Sequence, residues 1–98
     1  MLVHNVFFWL KDDLDAGELA AFEQGLQALR AVETVRELYV GRPVGSSRAV
    51  VDASFSFALT VLFDDADALG VYQPHPVHRK FVEDFQHCWD RIVVYDAA

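Results

Sequence analysis

The first ten positions alternate between two faces that are both largely apolar. Leu2, His4, Val6, Phe8 and Leu10 share one side of an extended chain, and Val3, Asn5, Phe7 and Trp9 the other, because successive side chains of a strand point to opposite faces. That pattern predicts a strand covered on both sides, ended by Lys11-Asp12-Asp13. Asp15 then stands as a helix N-cap with Glu18 as its capping-box partner. Leu19, Phe22, Leu26 and Leu29 recur at spacings of 3, 4 and 3, one apolar stripe of a helix with Glu23, Gln27 and Arg30 on its wet side. Gly17 and Gly25 weaken that helix slightly. Thr34 to Val40 reads as a second strand ended by Gly41, and residues 42–53 as a loop long enough to suggest mobility or a place at a pocket or interface. Ser54 to Phe63 is the clearest strand, with Phe55, Phe57, Leu59, Val61 and Phe63 on one face and Ser56, Ala58, Thr60 and Leu62 on the other. Asp64 is expected to cap a short helix through about Tyr72, stopped by Pro74. Pro76 suits the first turn of a further helix through about Trp89, with His78, Phe81, Phe85 and Cys88 or Trp89 as its stripe. Arg91 to Asp96 reads as the last strand.

The order β-α-β-β-α-β predicts an α+β, ferredoxin-like protomer: one antiparallel four-stranded sheet with its helices on one face. The helices then leave the other face bare. Val3, Phe7 and Trp9 oppose Val6 and Phe8, while Val93 and Tyr95 oppose Ile92 and Val94, so either face needs cover. A twofold-related copy is the simplest source. The expectation is a homodimer whose two sheets make a dimeric α/β barrel; the pattern leaves open which face the helices take.

Composition sharpens this picture. The chain's 98 residues fit a single domain spanning 1–98. At 53% hydrophobic and 13% aromatic, it holds more apolar surface than so small an interior absorbs, which again points to a subunit contact. With 15 acidic and 8 basic residues the net charge is -7. That argues against nucleic acid and anionic membranes as partners, since both draw affinity from Lys and Arg. The single cysteine, Cys88, permits no internal disulfide and fits a reducing, cytoplasmic setting. Residues 1–10 lack a basic leader and are too short to span a bilayer.

The residues that carry chemistry are Tyr72, His75-Pro76-Val77-His78, His4, Trp89 and Asp96. His78 lies on the apolar stripe with Phe81 and Phe85. His75 precedes a proline, so it is extended and either faces the loop or caps the turn. His87 falls among Lys80, Glu83 and Asp84 and is expected in water. His4 and Asp96 each interrupt an apolar strand face. A carboxylate there needs a partner, and a histidine is the natural one, held by the carboxylate in tautomer and orientation. On this reading His78, Tyr72, Asp96 and His4 converge as the candidate catalytic set. The competing reading is a set of hydrogen-bonded core residues. The apolar walls of such a pocket would come from Val6 and Phe8 of the first strand, Phe22 and Leu26 of the first helix and Leu59 of the third strand. Phe81, Trp89, Ile92 and Val94 would complete them. No phosphate loop, nucleophile elbow or convincing metal set is present, so no cofactor and no metal are expected.

The His4-Asn5-Val6-Phe7-Phe8 strand, the Gly41-Arg42 strand end, the Phe63 strand end before an acidic short helix, and above all Tyr72-Gln73-Pro74-His75-Pro76-Val77-His78 with Phe81 and Val82 resemble the stress-responsive A/B barrel family over nearly the whole chain. The resemblance implies a ferredoxin-like protomer and a barrel-forming homodimer. One branch of that family is similar to plant polyketide cyclases, which close a linear polyketide by aldol chemistry without a cofactor. Tyr72 and His78 match the positions that act there as base and helper; His4, Trp89 and Asp96 match pocket positions. The chain departs from the cyclases at Leu26, where some carry a tyrosine, and at Ser54-Phe55-Ser56-Phe57, which lacks their usual Tyr-Asp pair.

Three functions follow as expectations. The first is a cofactor-free cyclase or lyase acting on a carbonyl or polyketide-like compound: His78 takes a proton α to the carbonyl, Tyr72 stabilises the oxyanion, Asp96 orients His78, and His4 donates a second hydrogen bond. The second is a non-catalytic module binding a small apolar or aromatic ligand, or serving in stress protection. The third, by analogy of fold alone, is a cofactor-free monooxygenase. A cavity touching both His78 and Asp96 would favour the first two.

Overall fold

The protein is described by a computed structural model covering residues 1–98. Strand β1 spans Leu2–Leu10, helix α1 Ala16–Ala28, β2 Glu37–Gly41, β3 Phe57–Phe63, α2 Ala66–Tyr72, α3 Pro76–Phe85 and β4 Trp89–Ala97. The four strands form one antiparallel sheet in the order β2-β3-β1-β4. This is the ferredoxin-like α+β fold. No helix is long and apolar enough to cross a membrane.

The period-two pattern of β1 decides which face the helices take. Leu2, His4, Val6, Phe8 and Leu10 are buried, and the alternate residues are half-buried. Helix α1 lays Phe22 and Leu26 on that face, where both are 0% exposed. They join Phe57, Leu59, Val61 and Phe63 of β3 and Phe81 of α3 in one core. Asp15 caps α1 as a full capping box, its carboxylate accepting from the Glu18 N–H while Glu18 reaches back to the Asp15 N–H.

Several boundaries differ from the sequence pattern, each for a local reason. Residue 64 does not cap α2. Asp65 does, because its extended backbone aims the carboxylate at the Ala68 N–H, while Asp64 pairs with Arg36 at 3.4 Å. Strand β2 starts at Glu37 and not at Thr34, whose hydroxyl donates to the Ala68 carbonyl and belongs to the preceding turn. Strand β3 starts at Phe57. Its ladder with β1 runs out at Phe8 and Phe57, and the Ser56 hydroxyl takes the Leu10 N–H. The chain therefore leaves the strand, and Phe55 packs on Phe7 at 5.2 Å, on the opposite side of the sheet from Phe57. Helix α3 ends at Phe85 and a short 3-10 turn, Gln86–Cys88, follows. Trp89 is the first residue of β4, two residues before the expected strand start at Arg91.

The register of β4 shifts between Trp9 and Leu10, so that Trp9 opposes Arg91 but Leu10 opposes Trp89. The extra residue of this bulge changes which side chains share a face. Trp89 thereby joins Ile92 and Val94 on the helix side, although simple alternation would set it opposite to them.

Candidate functional site

The register of β1 and β4 builds the centre of the site. His4 lies directly opposite Asp96, and side chains so opposed point to the same face within hydrogen-bonding reach. The His4 Nδ1 and an Asp96 carboxylate oxygen are 2.5 Å apart. His4 is the one buried polar residue of the chain, while the Asp96 side chain is 39% exposed at the sheet edge. The carboxylate thus meets the requirement of a buried imidazole for a partner and sets its tautomer, with Nδ1–H donated and Nε2 free.

Tyr72 ends α2 and is buried at the centre of an aromatic cluster. Its ring lies edge-on to Phe63 at 5.0 Å, to His4 at 5.9 Å and to His78 at 4.8 Å. The elbow between α2 and α3 holds this geometry. The Gln73 N–H donates to the Leu69 carbonyl and the His75 N–H to that of Tyr72. His75 caps α3, its Nδ1 accepting from the Val77 N–H at 3.1 Å while Nε2 meets Glu33 at 3.3 Å. Pro76, with no N–H to satisfy, then opens the helix. His78 follows in the first turn, facing Tyr72. His87 is exposed.

These groups border a cavity of about 180 Å³ between the sheet and the α2–α3 elbow. Its polar lining is His4, Tyr72, Gln73 and His78. The expected walls Val6, Phe8, Leu59, Phe81, Trp89, Ile92 and Val94 are all present. Ile92 and Val94 are 42% and 46% exposed on the edge strand, so the mouth opens there. Phe22 and Leu26 do not line it: both are sealed in the solid core behind Phe8 and Phe81. Leu29, Gln73 and Val82 line it without having been expected. Val82 lies four residues after His78 on α3, a spacing that helical periodicity carries; Gln73 and Leu29 sit at helix ends where no pattern points.

Burial lowers the pKa of His78 below the usual 6.5, with His4 adding to the effect and a hydrogen bond to the Gln73 backbone opposing it. Burial alone raises that of Tyr72 above the usual 10.0. At neutral pH the pair is therefore a neutral imidazole beside an un-ionised phenol. No sealed side-chain N or O lacks a hydrogen-bond partner. The Tyr72 hydroxyl and the His78 ring, which bond no other side chain, open onto the cavity they border. Expectations for two residues are corrected: His4, with Nδ1–H given to Asp96, offers its Nε2 as an acceptor and not a donor, and the cavity touches His78 but not Asp96, which lies outside its lining. Asp96 engages His4 and not His78, because cross-strand register sets the pair, and the backbone of the elbow orients His78.

The fold has many relatives among solved structures. An Arabidopsis thaliana protein matches with a TM-score of 0.86 and 19% identity, covering 100% of this chain and 94% of that one. A hydroxynitrile lyase of Passiflora edulis matches with a TM-score of 0.84 and 18% identity, covering 98% and 90%. A protein of Thermobifida fusca described as dimeric and ferredoxin-like matches with a TM-score of 0.81 and 21% identity, covering 99% and 89%. No curated protein matches the sequence. The family profile of the Stress responsive A/B Barrel Domain matches residues 2–98. That span takes in the His4 strand, the elbow motif from Tyr72 to His78 and the Asp96 strand, and the chain belongs to the stress responsive A/B barrel domain family.

Proposed function

We propose that the pocket performs cofactor-free general acid–base chemistry of the cyclase or lyase type on a small carbonyl compound, within a homodimeric barrel. The observation that carries this reading is the meeting of His78, Tyr72 and His4 around one otherwise apolar cavity, with Asp96, outside the lining, bonded to His4. His78 is the base. Its neutral ring accepts a proton from the carbon next to the carbonyl, and a base that is deprotonated at working pH suits that step. Tyr72 donates to the carbonyl oxygen as it becomes an enolate. A phenol held un-ionised in a low-dielectric site stabilises the growing charge more than water does. His4 borders the same cavity; with its Nδ1–H held by Asp96 as the positioning group, its Nε2 is an acceptor, able to take the proton of a substrate hydroxyl in the lyase direction and return it in the reverse one. The proton taken by His78 returns to carbon or to the leaving group, so the balance needs no oxidant or cofactor. A lyase of the same fold lends this reading support, as a dimeric protein of the same fold supports the homodimer.

The test is proton exchange at a ketone. In D2O the protein should speed deuteration of the acetophenone methyl group, followed by NMR. His78→Ala should slow it by roughly 10²-fold or more, the usual contribution of a positioned base. Tyr72→Phe should slow it less, and Asp96→Asn less again, since it disturbs orientation and leaves the base in place. Exchange no faster than in buffer while acetophenone stays bound would make the pocket a binding module without proton transfer.

A further inference from the structure

We infer that the ligand of this pocket is an uncharged compound of one ring with a short hydrogen-bonding head, and that it enters free and not attached to a charged carrier. The inference rests on the pocket being a ligand site, as proposed above, and goes beyond it to the class of molecule accepted.

Three independent features lead there. The first is size. The cavity holds about 180 Å³, close to the roughly 150 Å³ of an engineered apolar cavity that takes up benzene. Its inner end is closed. Phe22 stands 5.2 Å from Phe8 and 5.7 Å from Phe81, ring centroid to centroid, and is 0% exposed, as is Leu26. A tail directed inward meets packed aromatic carbon.

The second feature is charge. None of the lining residues is Lys or Arg. The acidic group beside the cavity, Asp96, is already held by His4. On α3, Arg79 and Lys80 point into water, Lys80 bound to Asp84 at 2.9 Å. His78 is kept neutral by burial. A carboxylate or phosphate entering such a site loses hydration and finds no counter-charge, which is costly, and the chain's net charge of -7 opposes its approach. The phosphates of a nucleotide or phosphopantetheine carrier left outside the mouth meet the same opposing net charge, and no Lys or Arg of the lining holds them.

The third feature is shape. The Phe81 and Trp89 rings lie within 23° of parallel with centroids 6.1 Å apart, and Phe8 stands 5.4 Å from Trp89. They make an aromatic wall for a planar ring, while Tyr72 supplies a donor for one oxygen and His78 an acceptor beside it.

Binding to the intact protein tests this without knowledge of the natural reaction. Acetophenone, benzamide, benzoate and 4′-hexylacetophenone are titrated at pH 7.5, with the His4, His78 and Trp89 ring signals followed by NMR. Acetophenone and benzamide should shift those signals. Benzoate, isosteric with benzamide, should bind at least tenfold more weakly. The hexyl compound should bind at least tenfold more weakly than acetophenone, whereas a pocket that continued inward would reward each buried methylene by about fourfold. Benzoate equal to benzamide, or the hexyl compound equal to or tighter than acetophenone, would overturn the inference while leaving the site a ligand site. Pocket signals that none of the compounds moves would overturn both.

Discussion

At the scale of residues, the site is a division of labour between two histidines that differ in their partners. His4 is bound to a carboxylate across a strand pair; His78 packs against Tyr72 and lines a cavity. Burial lowers the pKa of His78, and the sign of the consequence follows from linkage. An unfolded histidine takes up a proton near pH ~6.5, whereas the folded ring resists it, so the unfolded state binds more protons as pH falls. The stability that His78 lends is complete above that value and is lost as pH falls from 6.5 through the folded pKa. An NMR titration of the His78 ring should give a midpoint below 6.5, and His78→Ala should flatten this part of the stability–pH curve. A midpoint at or above the ordinary value would mean that the ring is solvated or ion-paired in solution. Both histidines were legible as site candidates because each interrupts an apolar pattern. Their partners were not, because a strand register and a helix elbow, neither of which periodicity encodes, determine which carboxylate meets which ring.

Among the elements, the helices settle against one another at a glycine. A Cβ built at Gly25 of α1 would lie 2.5 Å from a ring carbon of Phe85 on α3. Glycine normally costs a helix interior about 1 kcal/mol relative to alanine. Here the absent side chain lets the Phe85 ring sit flush on α1. Gly25→Ala should therefore lower the melting temperature, by about 1–3 kcal/mol of overpacking less the propensity gained. In a Phe85→Ala background the same change should become stabilising, a sign reversal that a double-mutant cycle detects. Additive effects would mean that the ring moves aside freely. The sequence marks Gly25 only as a weak helix position. That the weakness serves the packing of α1 on α3 is visible only when the two helices are placed together.

For the whole molecule, the sheet has an uncovered face. Phe7, Trp9, Phe55, Val93 and Tyr95 gather on it around a depression of about 190 Å³. Arg91 lies over the Trp9 ring at 4.4 Å, and the Trp9 indole N–H donates to Ser54. So broad an apolar patch on a small domain marks a contact surface, and a self-complementary sheet face suits a twofold axis. Sedimentation at micromolar concentration should give about twice the chain mass. Trp9→Asp and Val93→Asp each place a charge in the centre of that contact and should yield monomers, because a buried unpaired charge is costly. Circular dichroism should remain that of the folded protomer, since neither side chain lies in the helix-side core. A wild-type monomer, or dimers untouched by both changes, would place the contact elsewhere.

What the sequence determined by itself was everything that repeats with a short period or sits at a fixed local offset. The faces of β1, the capping box of Asp15 with Glu18, the stripe through Phe22 and Leu26, and the order of elements all follow from spacings of a few residues. Local sterics and burial act over that range. The tertiary structure decided what depends on registers and contacts between distant segments. It paired Asp96 with His4, sent Phe55 to the opposite face from Phe57, and used the bulge beside Leu10 to bring Trp89 to the pocket. It also closed the cavity in front of Phe22 and Leu26, where periodicity alone placed them in its wall. A strand pattern records which side chains share a face, but the hydrogen-bond ladder between strands decides which of them meet, and a single extra residue in that ladder changes the answer.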